Sequence, residues 1–196
     1  MPSNIIAVVY GGLATAVAYN FPVETKYIAF CVAYSLYILF MNAVRFHNNR
    51  FAIERGVVGI TRNCYGTKGY SAFIVIHALA TVVAPLVVIV VAPKDIAEAM
   101  APHLFVLMAQ CGMEFLAFKT WFHPLPRLLI PWGFTAYREQ MLADWVMAAP
   151  EQYQATSDDD WAKGGVVLSI VNVVLFTSTL FSFFDYASDS EVLGYE

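Results

Sequence analysis

Apolar residues recur along this chain in five long runs, about 4–20, 27–45, 72–92, 101–122 and 164–184, with polar residues gathered between them. A helix needs roughly 20 predominantly apolar residues to cross the hydrocarbon core of a bilayer, and each run qualifies or nearly does. The pattern predicts an all-α fold, a polytopic membrane helical bundle of about five transmembrane helices in a single integral membrane domain. Only Phe21 to Lys26 separates the first two runs, which predicts a tight antiparallel hairpin. Gly11, Gly12, Ala14, Ala16 and Ala18 give the first run a small-residue face suited to close helix approach in lipid. The third run contains Pro85, which a span tolerates when a neighbour satisfies the carbonyl that the proline leaves free.

Two connections are long. Arg45 to Gly69 is basic and punctuated by glycine. His123 to Lys163 begins "HPLPRLLIPWGF", too short and proline-broken to span, and reads as an interfacial or re-entrant elbow. It continues "TAYREQMLADWVMAA", where Tyr137, Met141, Trp145 and Ala148 recur at helical spacing against Arg138, Glu139 and Asp144. That pattern predicts an amphipathic helix in the membrane interface, so that elbow and helix together cover about 123–149. "SDDDW" then reads as a cap, with Ser157 and the Asp run stabilising the N-terminus of the last helix.

Composition supports a lipid solvent. Of the 196 residues 59% are hydrophobic and 13% charged, and the mean hydropathy is +0.60. Soluble domains carry about 25% charged residues, so half the charge that a water-facing surface uses is missing. No basic residue precedes "IIAVVYGGLATAVAY", unlike the n-region of a signal peptide, so it is expected to be a retained first span, although Ala14 to Ala18 offers a cleavage-like pattern. No basic, serine-rich transit peptide is visible. Cys31, Cys64 and Cys111 are too few and too scattered for a disulfide framework, and the first and last fit as small packing residues. With five crossings, nine of the eleven basic residues fall on one side with the N-terminus and both long loops. The positive-inside rule makes that side cytosolic or stromal.

Candidate chemistry concentrates in the fourth run. His103, Gln110 and Glu114 stand at i, i+7 and i+11, within about 20° of one another around a helix. An acidic group near a span's centre costs about 2.5–3.5 kcal/mol on insertion scales, so Glu114 is expected to face protein, a cavity or a ligand. Two readings stay open: a stripe hydrogen-bonded across to a neighbouring span, or a stripe that binds a cofactor, a pigment metal, a lipid head group or a proton. His77, inside the third run, reads first as a packing residue. Arg127, Arg138, Asp144 and Trp145 follow the fourth run and are expected to contact lipid phosphates, the interface or a partner, with an Arg138–Asp144 network as the alternative. No metal-binding motif, nucleophile elbow or phosphate loop occurs, so no catalytic residue and no metal site is predicted. The basic residues hug the membrane ends, which leaves nucleic-acid binding unsupported.

The spaced pattern Pro102, His103, Gln110, Glu114, Arg127, Pro131, Arg138 and Asp144-Trp145 resembles an uncharacterised family of plant and algal multi-pass membrane proteins, a domain of unknown function. About a quarter of the chain carries this resemblance, and Pro124 and Pro126 depart from the family's placing of its prolines. It implies that stripe and elbow belong together, and a photosynthetic eukaryote as source. The expected function is a non-enzymatic accessory or structural subunit of a larger membrane complex. A photosystem in the thylakoid, ahead of the endoplasmic reticulum, is the expected host, with chlorophyll or another pigment on His103, Gln110, Glu114 or His77. "RFHNNRFAIE" (Arg45 to Glu54) is similar to the Arg, Asn and Glu loop of the small membrane glutathione-transferase family, with a different Asn-to-Glu spacing and a different span count. It defines the alternative, a small membrane enzyme or lipid-binding protein with a site between spans. A membrane-shaping role for the 1–45 hairpin and the interfacial helix is the third reading.

Overall fold

A computed structural model describes residues 3–44, 75–77, 79–118, 122, 124–155 and 159–187. Among them there are six α-helices and no strand. They are α1 (Ser3–Asn20), α2 (Thr25–Val44), α3 (Ala84–Val91), α4 (Lys94–Phe118), α5 (Pro124–Ala155) and α6 (Asp159–Ala187). The basic connection predicted over 45–69, with the Arg45–Glu54 segment, and the Ser157 cap lie outside the described residues, although α6 does open on the acidic pair Asp159-Asp160.

α4 is the hub. It packs against α1, α2, α3, α5 and α6, and from Met100 to Met108 nearly every side chain is buried. A helix apolar on all sides belongs in an interior, where each face meets another helix. α1 runs along α4 because Gly112 lets the backbones approach: a Cβ there would sit 3.6 Å from the Ala7 carbonyl oxygen and 3.8 Å from the Gly11 nitrogen. Tyr10 stacks on Phe115 beside that seam, with ring centroids 5.5 Å apart. α2 leans instead on α5 through an aromatic set. Phe30 stacks on Tyr137 (3.6 Å) and Tyr34 (5.4 Å), and both Phe30 and Tyr34 meet Phe134 edge-on.

The predicted hairpin is therefore corrected. The link between α1 and α2 is as short as expected, but the helices barely touch, because their partner surfaces lie on α4 and α5. The proline-broken elbow is corrected too. Residues 124–155 form one continuous helix. The first four N–H groups of a helix have no intrahelical acceptor, so Pro124 and Pro126 open α5 rather than break it, and Pro131 and Pro150 each cost an interior hydrogen bond. α5 also turns one face inward, while Trp132, Ala136, Gln140, Ala143, Asp144 and Met147 stay exposed. Ile130, Phe134, Arg138, Met141, Leu142 and Trp145 form one buried stripe against its neighbours.

Among the described residues two helices are long and apolar enough to cross a membrane, Thr25–Val44 and Lys94–Ala117, against the five spans predicted. Shorter apolar stretches among the described residues occupy Ile5–Asn20, Val75–Val91 and Lys163–Thr177, the last lying inside the 29-residue α6. The third is broken by a π-helical turn, Leu79–Val83, immediately before Pro85.

Candidate functional site

The structure gathers polar side chains inside the bundle, between α4, α5 and α6. Phe176 of α6 is the centre of the group. The Arg138 guanidinium lies over its face, with Cζ 3.8 Å from the ring centroid. His103 and His77 meet the same ring edge-on at 5.6 and 5.1 Å. Trp145 closes the far side, its ring 6.4 Å from that of His103. Helical spacing explains the assembly. Arg138, Met141, Leu142 and Trp145 stand at i, i+3, i+4 and i+7 on α5, so the arginine shares the stripe that packs inward.

Arg138 is 0% and His103 2% exposed. Arg138 Nη2 donates to Thr135 Oγ1 at 3.3 Å, while its Nε and Nη1 and both ring nitrogens of His103 meet no acceptor among the described residues. Glu114 and Glu139 act on the guanidinium through space, and each is engaged elsewhere. Glu114 Oε1 accepts from Gln110 Nε2 at 2.6 Å, and Glu139 Oε2 accepts from the Thr177 hydroxyl at 3.2 Å. The expected crossing of Gln110 and Glu114 to a neighbouring span is thus replaced by a bond along their own helix, one turn apart. His103 and Glu114 share a face of α4 but lie roughly 16 Å apart along its axis, so they serve different surroundings.

The remaining predicted residues separate. Arg127 Nη2 donates to the Ala117 carbonyl at 3.2 Å, where it satisfies a last-turn oxygen of α4 and fixes the α4–α5 corner. Trp145 is buried at 5% exposure, away from any interface with solvent, and Asp144 is exposed. No Arg138–Asp144 ion pair forms among the described residues, because a six-residue offset puts the two on different flanks of α5. No group of three or more His, Cys, Asp or Glu among the described residues stands close enough to hold a metal ion.

Sequence reasoning passed over Phe176, Thr135 and Asn172. Asn172 is fully buried on α6, and its Nδ2 donates to the Ala80 carbonyl at 3.1 Å and to Leu168 at 2.8 Å. In a π register the partner of the Ala80 carbonyl is the N–H of residue 85, and residue 85 is proline. Asn172 supplies the donor that Pro85 lacks, so the side chain that makes this proline tolerable comes from α6. An asparagine inside the apolar run "SIVNVVLF" was its signal in the sequence.

Residues 9–184 match the family described as "Domain of unknown function (DUF7733)". The chain belongs to that family. No curated protein and no solved structure matches it. The match runs from within α1 to within α6 and includes every residue of the Phe176 group.

Proposed function

We propose that this member of the family is a multi-pass integral membrane protein that works by binding, at the polar site between α4, α5 and α6, rather than by catalysis. One observation supports this reading above the others: polarity is distributed inside out. Arg138, His103, Asn172, Asn42 and Gln110 are buried, whereas Val8 is 74% and Val90 79% exposed. Large apolar side chains also face outward on α2 (Ile28, Val32, Leu36, Phe40, Val44) and α6 (Val167, Ile170, Val171, Val174). Water as the outer solvent penalises both halves of that arrangement, and hydrocarbon penalises neither. Arg138 brings hydrogen-bond donors and a fixed charge beside the His103 imidazole, which fits binding.

Alkaline carbonate washing of the native membranes tests the bilayer part. The chain is expected to stay with the pellet, and its release into the wash would reject the reading.

An accessory-subunit role is supported by a different observation. α2 keeps only 22% of its apolar window buried inside the protein, and its outward residues recur every four positions, a continuous seam of the kind that a partner helix covers in lipid. Native mass in mild detergent reads this directly: a large assembly supports a subunit, a lone 21.8 kDa chain opposes it, and co-purified colour would bring the pigment version with it.

A further inference from the structure

We propose that Arg138 and His103 form a buried site for an oxyanion, a phosphate or carboxylate group, held beside the Phe176 ring where α4, α5 and α6 meet. This deepens the binding reading above and rests on the site named there.

The argument is one of unmatched donors. A guanidinium stays charged at any physiological pH, and taking a cation out of water is costly unless a counter-charge and hydrogen bonds replace the lost hydration. Arg138 is wholly buried, yet among the described residues it has one hydrogen bond, to Thr135, and one ring contact, to Phe176. Its Nε and Nη1 carry three N–H donors with no acceptor, and neither ring nitrogen of the equally buried His103 has a partner. Buried polar groups in folded proteins are almost always satisfied, so a cluster of this kind marks a missing partner.

The chemistry of that partner follows from the cluster. Of the two carboxylates that act on Arg138 through space, Glu114 is turned to Gln110 and Glu139 to Thr177 by one oxygen. Among the described residues the Oε1 of Glu139 stays buried without a donor, and neither carboxylate forms an ion pair with Arg138. The charge and three free N–H groups of Arg138 therefore dominate what the site offers, with one further donor and one acceptor from a neutral His103, and they favour an acceptor-rich anion. Phe176 and Trp145 wall the site with aromatic surface, which excludes water and strengthens an anion–guanidinium contact. The head group of an anionic lipid and a free small anion share this chemistry.

The test uses the full chain in dodecyl maltoside, washed extensively on an affinity column, and follows the melting temperature against three probes. These are inorganic phosphate, oleate, and dioleoyl phosphatidylglycerol in mixed micelles, with dioleoyl phosphatidylcholine as the uncharged control. At least one anionic probe is expected to raise the melting temperature saturably, and the control to leave it unchanged. A probe at about 100 times its dissociation constant favours the folded state about 100-fold, a shift of several degrees. A response to phosphate assigns a free anion, and a response to phosphatidylglycerol alone assigns a lipid head group. Arg138→Lys keeps the charge but loses the planar fork, so its apparent affinity should fall at least tenfold. Arg138→Gln should lose the response altogether while melting no lower than probe-free wild type, because the unpaired charge is gone. If the washed wild type responds to no probe, a phosphorus and fatty-acid assay decides: an equimolar anion retained by wild type and absent from Arg138→Lys supports the site, and its absence from both overturns it. A lysine variant that titrates like wild type also overturns it. The measurement is made in detergent, so loss of the anion site and failure of the alkaline wash are separate results.

Discussion

Replacing Gly133 by alanine should damage this bundle at one identifiable contact. Gly133 lies on α5 where α2 crosses it, and a Cβ built there falls on the ring and hydroxyl of Tyr34, far inside contact distance. Tyr34 cannot yield cheaply. Its hydroxyl donates to the Leu129 carbonyl at 2.6 Å, its ring stacks on Phe30, and Phe134 meets it edge-on, with 5.4 Å between centroids in both pairs. Moving the ring forfeits a hydrogen bond of about 1 kcal/mol and an aromatic pair of about 1 kcal/mol, with about 1–3 kcal/mol of overpacking strain in the neighbours. Alanine recovers about 1 kcal/mol of helix propensity over glycine. The net loss is about 2–4 kcal/mol, which in a chain of this length lowers the melting temperature by roughly 5–15 °C. Thermal unfolding in detergent measures it, and a Gly133→Ala/Tyr34→Ala pair completes a double-mutant cycle in which most of the penalty disappears. If Gly133→Ala melts at or above wild type, the α2–α5 crossing described here is wrong.

Three further expectations concern single contacts. Asn172→Ala strands the Ala80 carbonyl opposite Pro85 and should cost about 1–3 kcal/mol in thermal unfolding, whereas a silent variant would show that the carbonyl finds another donor. Gly112→Ala should be nearly neutral, because its Cβ would stand in ordinary contact at 3.6–3.8 Å, but Gly112→Leu should lever α1 off α4. Hydrogen exchange over 3–20 distinguishes the two, and equal protection in both variants would contradict the seam. Tyr34→Phe should cost about 1 kcal/mol through the Leu129 bond alone, so a cost near that of Gly133→Ala would shift the weight of the argument from packing to that bond.

The positions of the helices were largely legible in the sequence, because long apolar runs show directly in hydropathy. α1, α2 and α6 occupy the predicted stretches within a few residues, and α4 begins at Lys94 rather than 101 because Asp95 and Glu98 hid its amphipathic first turns. Which elements pack together was not legible. The short link after α1 predicted a hairpin, and nothing local reveals that Gly112, 100 residues on, offers α1 a closer surface. α5 was misread for a more general reason. Charged residues in an amphipathic pattern were assigned to the outside, as water as the solvent requires, yet Arg138 stands in register with Met141, Leu142 and Trp145 and follows them inward. Where the surroundings are apolar the polar position is the interior one, and the i+3, i+4, i+7 relation to three large apolar residues was the available signal. Of the candidate site, His103 and Arg138 were picked out singly, and their meeting on Phe176 is a tertiary fact without a sequence signature.

The central claim is that the outward apolar faces meet lipid. A spin label at Leu36, 60% exposed near the middle of α2, tests it most directly in a variant with the three cysteines replaced, reconstituted in bilayers. The account predicts relaxation dominated by oxygen, which concentrates in the hydrocarbon core, with little effect from a water-soluble nickel complex. Relaxation dominated by the nickel complex would place that face in water and contradict the account.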